Sequence, residues 1–154
     1  MSGRTDSASR FIRASPHKIY EALLDPKAVA IWRPPEGMRA EIFAFDPRVG
    51  GGFRMAFVYA GTDHAVRGKT SEDADVFDGQ FVELVHGSRV VERVTFESDD
   101  RAFAGAMTIT TSLAPVVGGT EVTIRCENVP AGIRPSDHQI GMRSTLDNLA
   151  AFTE

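Results

Sequence analysis

The sequence predicts an α+β fold: a curved antiparallel sheet of about six or seven strands wrapped around a long C-terminal helix. Three observations predict it. The hydropathy period changes from helical to two after Gly37, turn residues then recur about every ten positions, and an apolar helical stripe follows Pro135. The 154 residues are the length of one domain, and we expect one spanning 1–154.

Each element has a local reason. Residues 8–14 (Ala-Ser-Arg-Phe-Ile-Arg-Ala) read as a first strand. Ser15-Pro16 follows as an N-cap with proline at the first helical position, where its missing N–H costs nothing, and Ile19/Leu23 and Tyr20/Leu24 make one side of that short helix apolar. Asp25-Pro26 stops it and starts a second short helix with Val29, Ile31 and Trp32, which Arg33-Pro34-Pro35 ends. Strands are then expected at 38–46, 52–59, 79–86, 89–97, 104–114 and 120–128. Their turns are Gly50-Gly51-Gly52, His86-Gly87-Ser88 and Val117-Gly118-Gly119-Thr120. Between Ala60 and Phe77 runs a polar stretch in which Ala65-Val66-Arg67 would add a short strand and Lys69 and Asp75 would gate an entrance. Pro135-Ser136-Asp137 opens the last helix, whose stripe His138, Met142, Leu146, Leu149, Phe152 is spaced 4, 4, 3, 3.

Composition excludes several functions. The net charge is −4 and no Lys/Arg-dense run exists, so nothing in the chain offers the clustered cations that phosphate backbones require. No window approaches the roughly 20 apolar residues of a membrane span. The opening residues carry no targeting pattern and Cys126 has no second cysteine to pair with, so a cytoplasmic location is expected. The histidines at 17, 64, 86 and 138 share no metal-ligand spacing, the glycines at 50–52 lead into a strand rather than a phosphate-cradling helix, and no Gly-x-Ser-x-Gly elbow is present. No cofactor, metal or catalytic residue is assigned from sequence.

The aromatic count directs attention inward: 10 Phe against 2 Tyr and 1 Trp. On the third strand Phe53, Met55, Phe57 and Tyr59 share one face. The same alternation turns Met107, Ile109 and Leu113 inward, then Val122, Ile124 and Cys126, and it places Glu92 among Val90, Val94 and Phe96. His138 stands one turn before Met142 and Leu146 on the apolar side of the last helix, while Trp32 would line a pocket mouth or seat its helix. Glu83 is a carboxylate that would either face solvent or anchor a ligand. Phe152 is expected to converge with the inner rings, Phe43 and Phe45 to share a face with Glu41, and Phe77 to lie in or beside the polar segment. Packed core and lined cavity both fit these rows; the candidate ligand-binding set is Trp32, Phe53, Met55, Phe57, Tyr59, Glu83, Glu92, Phe96, Met107, His138, Met142 and Leu146.

Several strings, in order along nearly the whole chain, resemble the helix-grip superfamily called START-like or SRPBCC, which includes the birch-pollen allergen. They are Ala14-Ser15-Pro16, Ile31-Trp32-Arg33-Pro34-Pro35, Asp46-Pro47-Arg48-Val49-Gly50-Gly51, Gly68-Lys69-Thr70, Gly79-Gln80-Phe81-Val82-Glu83-Leu84, Gly105-Ala106-Met107-Thr108, Gly119-Thr120-Glu121-Val122-Thr123, and Asp137-His138 through Gly141-Met142 to Leu146. More narrowly they are similar to the branch related to activators of the heat-shock-protein-90 ATPase. The resemblance implies a helix-grip fold, and it implies lipid carriers, cyclases or co-chaperone domains without choosing among them. Three readings follow: a module holding a hydrophobic or aromatic small molecule between sheet and last helix, a cyclase- or hydrolase-type enzyme with His138 as proton shuttle, or a co-chaperone domain with a chaperone as partner. The chain is expected to lack room for the extra N-terminal domain of the eukaryotic activators, which counts against the last. Exposed sheet edges would support a homodimer.

Overall fold

A computed structural model describes residues 3–59 and 74–154. The elements are β1 (Arg4–Ile12), α1 (Pro16–Leu23), α2 (Pro26–Trp32), β2 (Met38–Phe45), β3 (Gly52–Tyr59), β4 (Ala74–Val85), β5 (Arg89–Glu97), a one-turn 3₁₀ helix (Arg101–Phe103), β6 (Ala106–Val116), β7 (Gly119–Val129) and α3 (Pro135–Thr153). The seven strands form one antiparallel sheet in the order β1-β7-β6-β5-β4-β3-β2. α3 packs along β1 and against α1 and α2. This is the α+β helix-grip arrangement, and no helix among the described residues is long and apolar enough to cross a membrane.

The caps behave as their residue types require. The Ser15 hydroxyl accepts from the Lys18 N–H at 3.1 Å, and the Asp25 carboxylate accepts from the Lys27 N–H at 3.0 Å, each ahead of a first-turn proline. On β5 the alternation holds throughout: Val90, Glu92 and Val94 are buried while Arg93 and Thr95 are exposed. Val122, Ile124 and Cys126 are likewise buried from β7.

Where the strands depart from strict alternation, bulges are the cause. A register shift between Ile42 and Ala44 leaves Phe43 exposed but turns Phe45 inward, edge-on to Phe81 at 5.6 Å and beside Phe53 at 6.1 Å. Phe45 therefore does not share the face of Glu41 and Phe43. A second shift between Phe81 and Glu83 sets Glu83 opposite Val91. Glu83 thereby leaves the inner face that Phe81 occupies. β4 begins at Ala74, earlier than the sequence suggests, so Phe77 is not a neighbour of a polar loop but a buried strand residue. The expected short strand at 65–67 and the gating Lys69 lie outside the described residues. β1 begins at Arg4 rather than residue 8, pairing with β7 from Val129 onward. On α3 the buried stripe is Met142, Leu146, Leu149, Ala150 and Thr153, while Phe152 is 41% exposed. Thr153 follows Leu149 by four positions, about one turn, so the inward position falls to Thr153.

The aromatic cluster closes on a missing side chain. Gly79 lies opposite Phe53 across the β3–β4 pair, and the Phe53 ring covers the place where a side chain would start. That ring contacts Phe77 edge-on at 6.4 Å and Phe81 at 5.2 Å. Gly79→Ala should therefore push Phe53 out of its site and lower the unfolding free energy by about 1–3 kcal/mol. Urea denaturation measures it, and an unchanged midpoint would contradict this packing.

A cavity beneath the C-terminal helix

Between the sheet, α2 and α3 lies a cavity of about 530 Å³. Much of its wall is hydrocarbon: Trp32 from α2, Phe57 from β3, Phe77 from β4, Phe96 from β5, Met107 from β6 and Met142 from α3. Trp32 lines the cavity, and its indole N–H donates to the Ala22 carbonyl at 2.9 Å, which ties α2 to α1 rather than to the sheet.

The sheet register explains how polar groups reach this apolar wall. Cross-strand neighbours Phe81, Glu92, Ile109, Cys126 and Asp6 form one row over β4, β5, β6, β7 and β1. Glu92 and Asp6 thus stand three strands apart, roughly 14 Å at ordinary strand spacing, with Ile109 and Cys126 between them. Both carboxylates are paired. Arg33 Nη1 and Nη2 donate to Glu92 Oε2 and Oε1 at 2.9 and 2.8 Å, with only 12% and 7% of the two side chains exposed. The Arg33 guanidinium also lies over the Phe53 and Phe77 rings at 5.4 and 5.8 Å.

Asp6 receives Arg4 and, at 2.8 Å, the Nδ1 of His138; Arg4 also donates to the Ile133 carbonyl. Burial pushes the Asp6 carboxyl up, but the hydrogen bonds and charges of Arg4 and His138 together outweigh it and hold it below its ordinary value. Cys126, between the two pairs, feels Arg33, Asp6 and Glu92, and burial dominates: its thiol is pushed up to about 12 and remains protonated. At the outer end Tyr59 is raised by burial and by the charges of Asp75 and Asp137. Its phenol keeps its proton at neutral pH.

The backbone around Arg33 is tied to α3. Thr145 Oγ1 donates to the Arg33 carbonyl at 3.0 Å, Asn148 Nδ2 to the Pro34 carbonyl at 3.0 Å, and the Glu36 N–H to Ser144 Oγ at 2.8 Å. The end of α2, the sheet and the last helix therefore meet at one residue.

Of the twelve candidates, eight line the cavity: Trp32, Phe57, Tyr59, Glu92, Phe96, Met107, His138 and Met142. Phe53, Met55 and Leu146 are buried in the surrounding core instead. Glu83 is on the other face of the sheet, accepting from Arg89 Nε at 2.7 Å. Sequence reasoning missed Arg33, Asp6 and Phe77. The signal for Arg33 was available, since a carboxylate at an inward position such as Glu92 demands a cation beside it.

The model of the Activator of Hsp90 ATPase homolog 1-like family matches residues 13–154. The chain belongs to this family. A solved protein from Chromobacterium violaceum is 35% identical with a TM-score of 0.85, covering 97% of this chain and 96% of that one. One from Rhizobium loti is 28% identical with a TM-score of 0.71 over 97% and 96% of the two chains. An AHSA1-like protein from Aeromonas hydrophila, 18% identical with a TM-score of 0.71 over 97% of this chain and 91% of that one, shares the fold. No functionally curated protein matches the chain. Membership is compatible with a ligand-binding or a co-chaperone-type domain.

The buried pair sets a test. Glu92→Gln leaves the guanidinium uncompensated and should cost about 3–5 kcal/mol, whereas replacing Arg33 and Glu92 together by methionine should stay within about 1–2 kcal/mol of the parent. Chemical denaturation of both variants checks this; an equal loss in the two would contradict the pairing.

Proposed function

We propose that this protein binds a small, predominantly apolar molecule, aromatic or otherwise hydrophobic, in the cavity beneath α3. The observation that carries the reading is the hollow itself: about 530 Å³ remains open although ten phenylalanines were available to fill it. Ligand sites commonly enclose about 300–1,000 Å³ with apolar walls and a few fixed polar groups. Here much of the wall is built of rings and thioethers, and its polar groups include Glu92 and Cys126 on one sheet row, Arg33 at the end of α2 and His138 on α3.

A catalytic use of the same cavity is the second reading, favoured by the Asp6–His138 contact. A carboxylate on Nδ1 orients an imidazole, one element of the arrangement a general acid or base requires. Family membership supports the third, a chaperone ATPase as partner.

Gly141 provides the control for the first reading. It lines the cavity, and beyond the backbone of its own helix no atom of the described residues lies within 4 Å of where a side chain would begin. A hydrophobic ligand at a hundred times its Kd should raise Tm by roughly 5–10 °C. Gly141→Leu should fold at least as stably, since leucine is the better helix former, yet lose that shift. Thermal denaturation with a panel of aromatic and lipid-like metabolites measures both; a shift that persists in the filled variant would place binding elsewhere.

A further inference from the structure

The cavity reading leaves open what the ligand's polar group is, and the hydrogen bonds of Arg33 narrow it. A guanidinium carries five N–H donors in one plane. Glu92 takes one from Nη1 and one from Nη2, an end-on pairing, and nothing among the described residues accepts from Nε. No buried side-chain nitrogen or oxygen among the described residues is sealed in the protein without a partner, so Nε borders open space. The space that Arg33 lines is the cavity. The rings of Phe53 and Phe77 lie against the guanidinium, and Glu92 occupies its end, so the edge formed by Nε–H and the neighbouring Nη2–H is the side left for an acceptor.

The charge of that acceptor is set by Glu92. The carboxylate already neutralises the guanidinium, and a second anion on the adjoining edge would be buried in the field of the first. An uncharged oxygen has no such penalty and still gains a charge-assisted bond. We infer that the molecule bound here is a neutral, largely apolar carbonyl compound, a ketone, ester, lactone or amide, whose carbonyl oxygen accepts from the Nε–H edge of Arg33. From there its body extends over Ile109 and Cys126 toward His138, along the row that separates the two ion pairs. The protonated Cys126 thiol is a neutral neighbour on this path.

This inference rests on the cavity reading, and matched probes separate the two. Fluorenone, fluorene and fluorene carboxylate share a skeleton and differ in the polar group. Titration calorimetry on the unaltered protein should give fluorenone an affinity about tenfold above fluorene, the worth of one hydrogen bond to a charged donor, with the carboxylate weaker than both. In nitrogen-15 spectra the Arg33 Nε–H resonance should move with fluorenone and stay in place with fluorene. Equal affinities for ketone and hydrocarbon, with a stationary Nε–H signal, would overturn the inference and leave the cavity reading standing. Preference for the carboxylate would overturn the neutral-acceptor argument. If none of the three binds, the cavity reading falls and takes the inference with it.

Discussion

Arg33 is the residue on which the interior depends. Its guanidinium reaches into the sheet to meet Glu92, its carbonyl accepts from Thr145 of α3, and it closes α2. Removing two charges from water costs several kcal/mol per ion, and only bidentate geometry with added contacts offsets it. Both are present, in the paired 2.8 and 2.9 Å bonds and in the Phe53 and Phe77 rings. A pair of apolar side chains would hold the same elements together more cheaply, and they would also fill the space. The ion pair fixes α2 and α3 at a distance from the sheet and keeps a directed polar edge in an otherwise hydrocarbon wall. A preformed site benefits from that rigidity because its ligand then has little ordering left to bring about.

Glu92, Ile109 and Cys126 give the cavity floor a simple plan, and Phe81 and Asp6 continue the same sheet row beyond its two ends. Each carboxylate has an arginine, Arg33 for Glu92 and Arg4 for Asp6, and each receives a residue from outside the sheet, Arg33 at the end of α2 for one and His138 of α3 for the other. Between them the wall is neutral, because the Cys126 thiol does not ionise there. Tyr59, with Asp75 and Asp137 close enough to raise its phenol, adds a proton-bearing hydroxyl to the cavity lining.

Alternation and capping made most of the fold legible in the sequence. β3 and β5 run as read, the two short helices start at their Ser-Pro and Asp-Pro caps, and Glu92 points inward as its apolar neighbours required. The departures have local causes that a period-two count cannot register. Single-residue bulges turned Phe45 in and Glu83 out, and the phase of a 3.6-residue helix gave the last inward position to Thr153 instead of Phe152. Asp6 was hidden because a charged residue near the start of a chain reads as solvated; it is the long-range contacts with His138 and β7, added to the local bond from Arg4, that make it structural. Arg33 was hidden by Pro34 and Pro35, which mark it as a helix end. The partner that explains it lies 59 positions away.

A crystal structure of the protein as purified from cells tests the central claim most directly. The account predicts well-ordered density between the sheet and α3, too large for water, with an oxygen-bearing end within hydrogen-bond distance of Arg33 Nε. An interior in which Phe57, Phe96, Met107 and Met142 have closed together, leaving no space for a ligand, would contradict it.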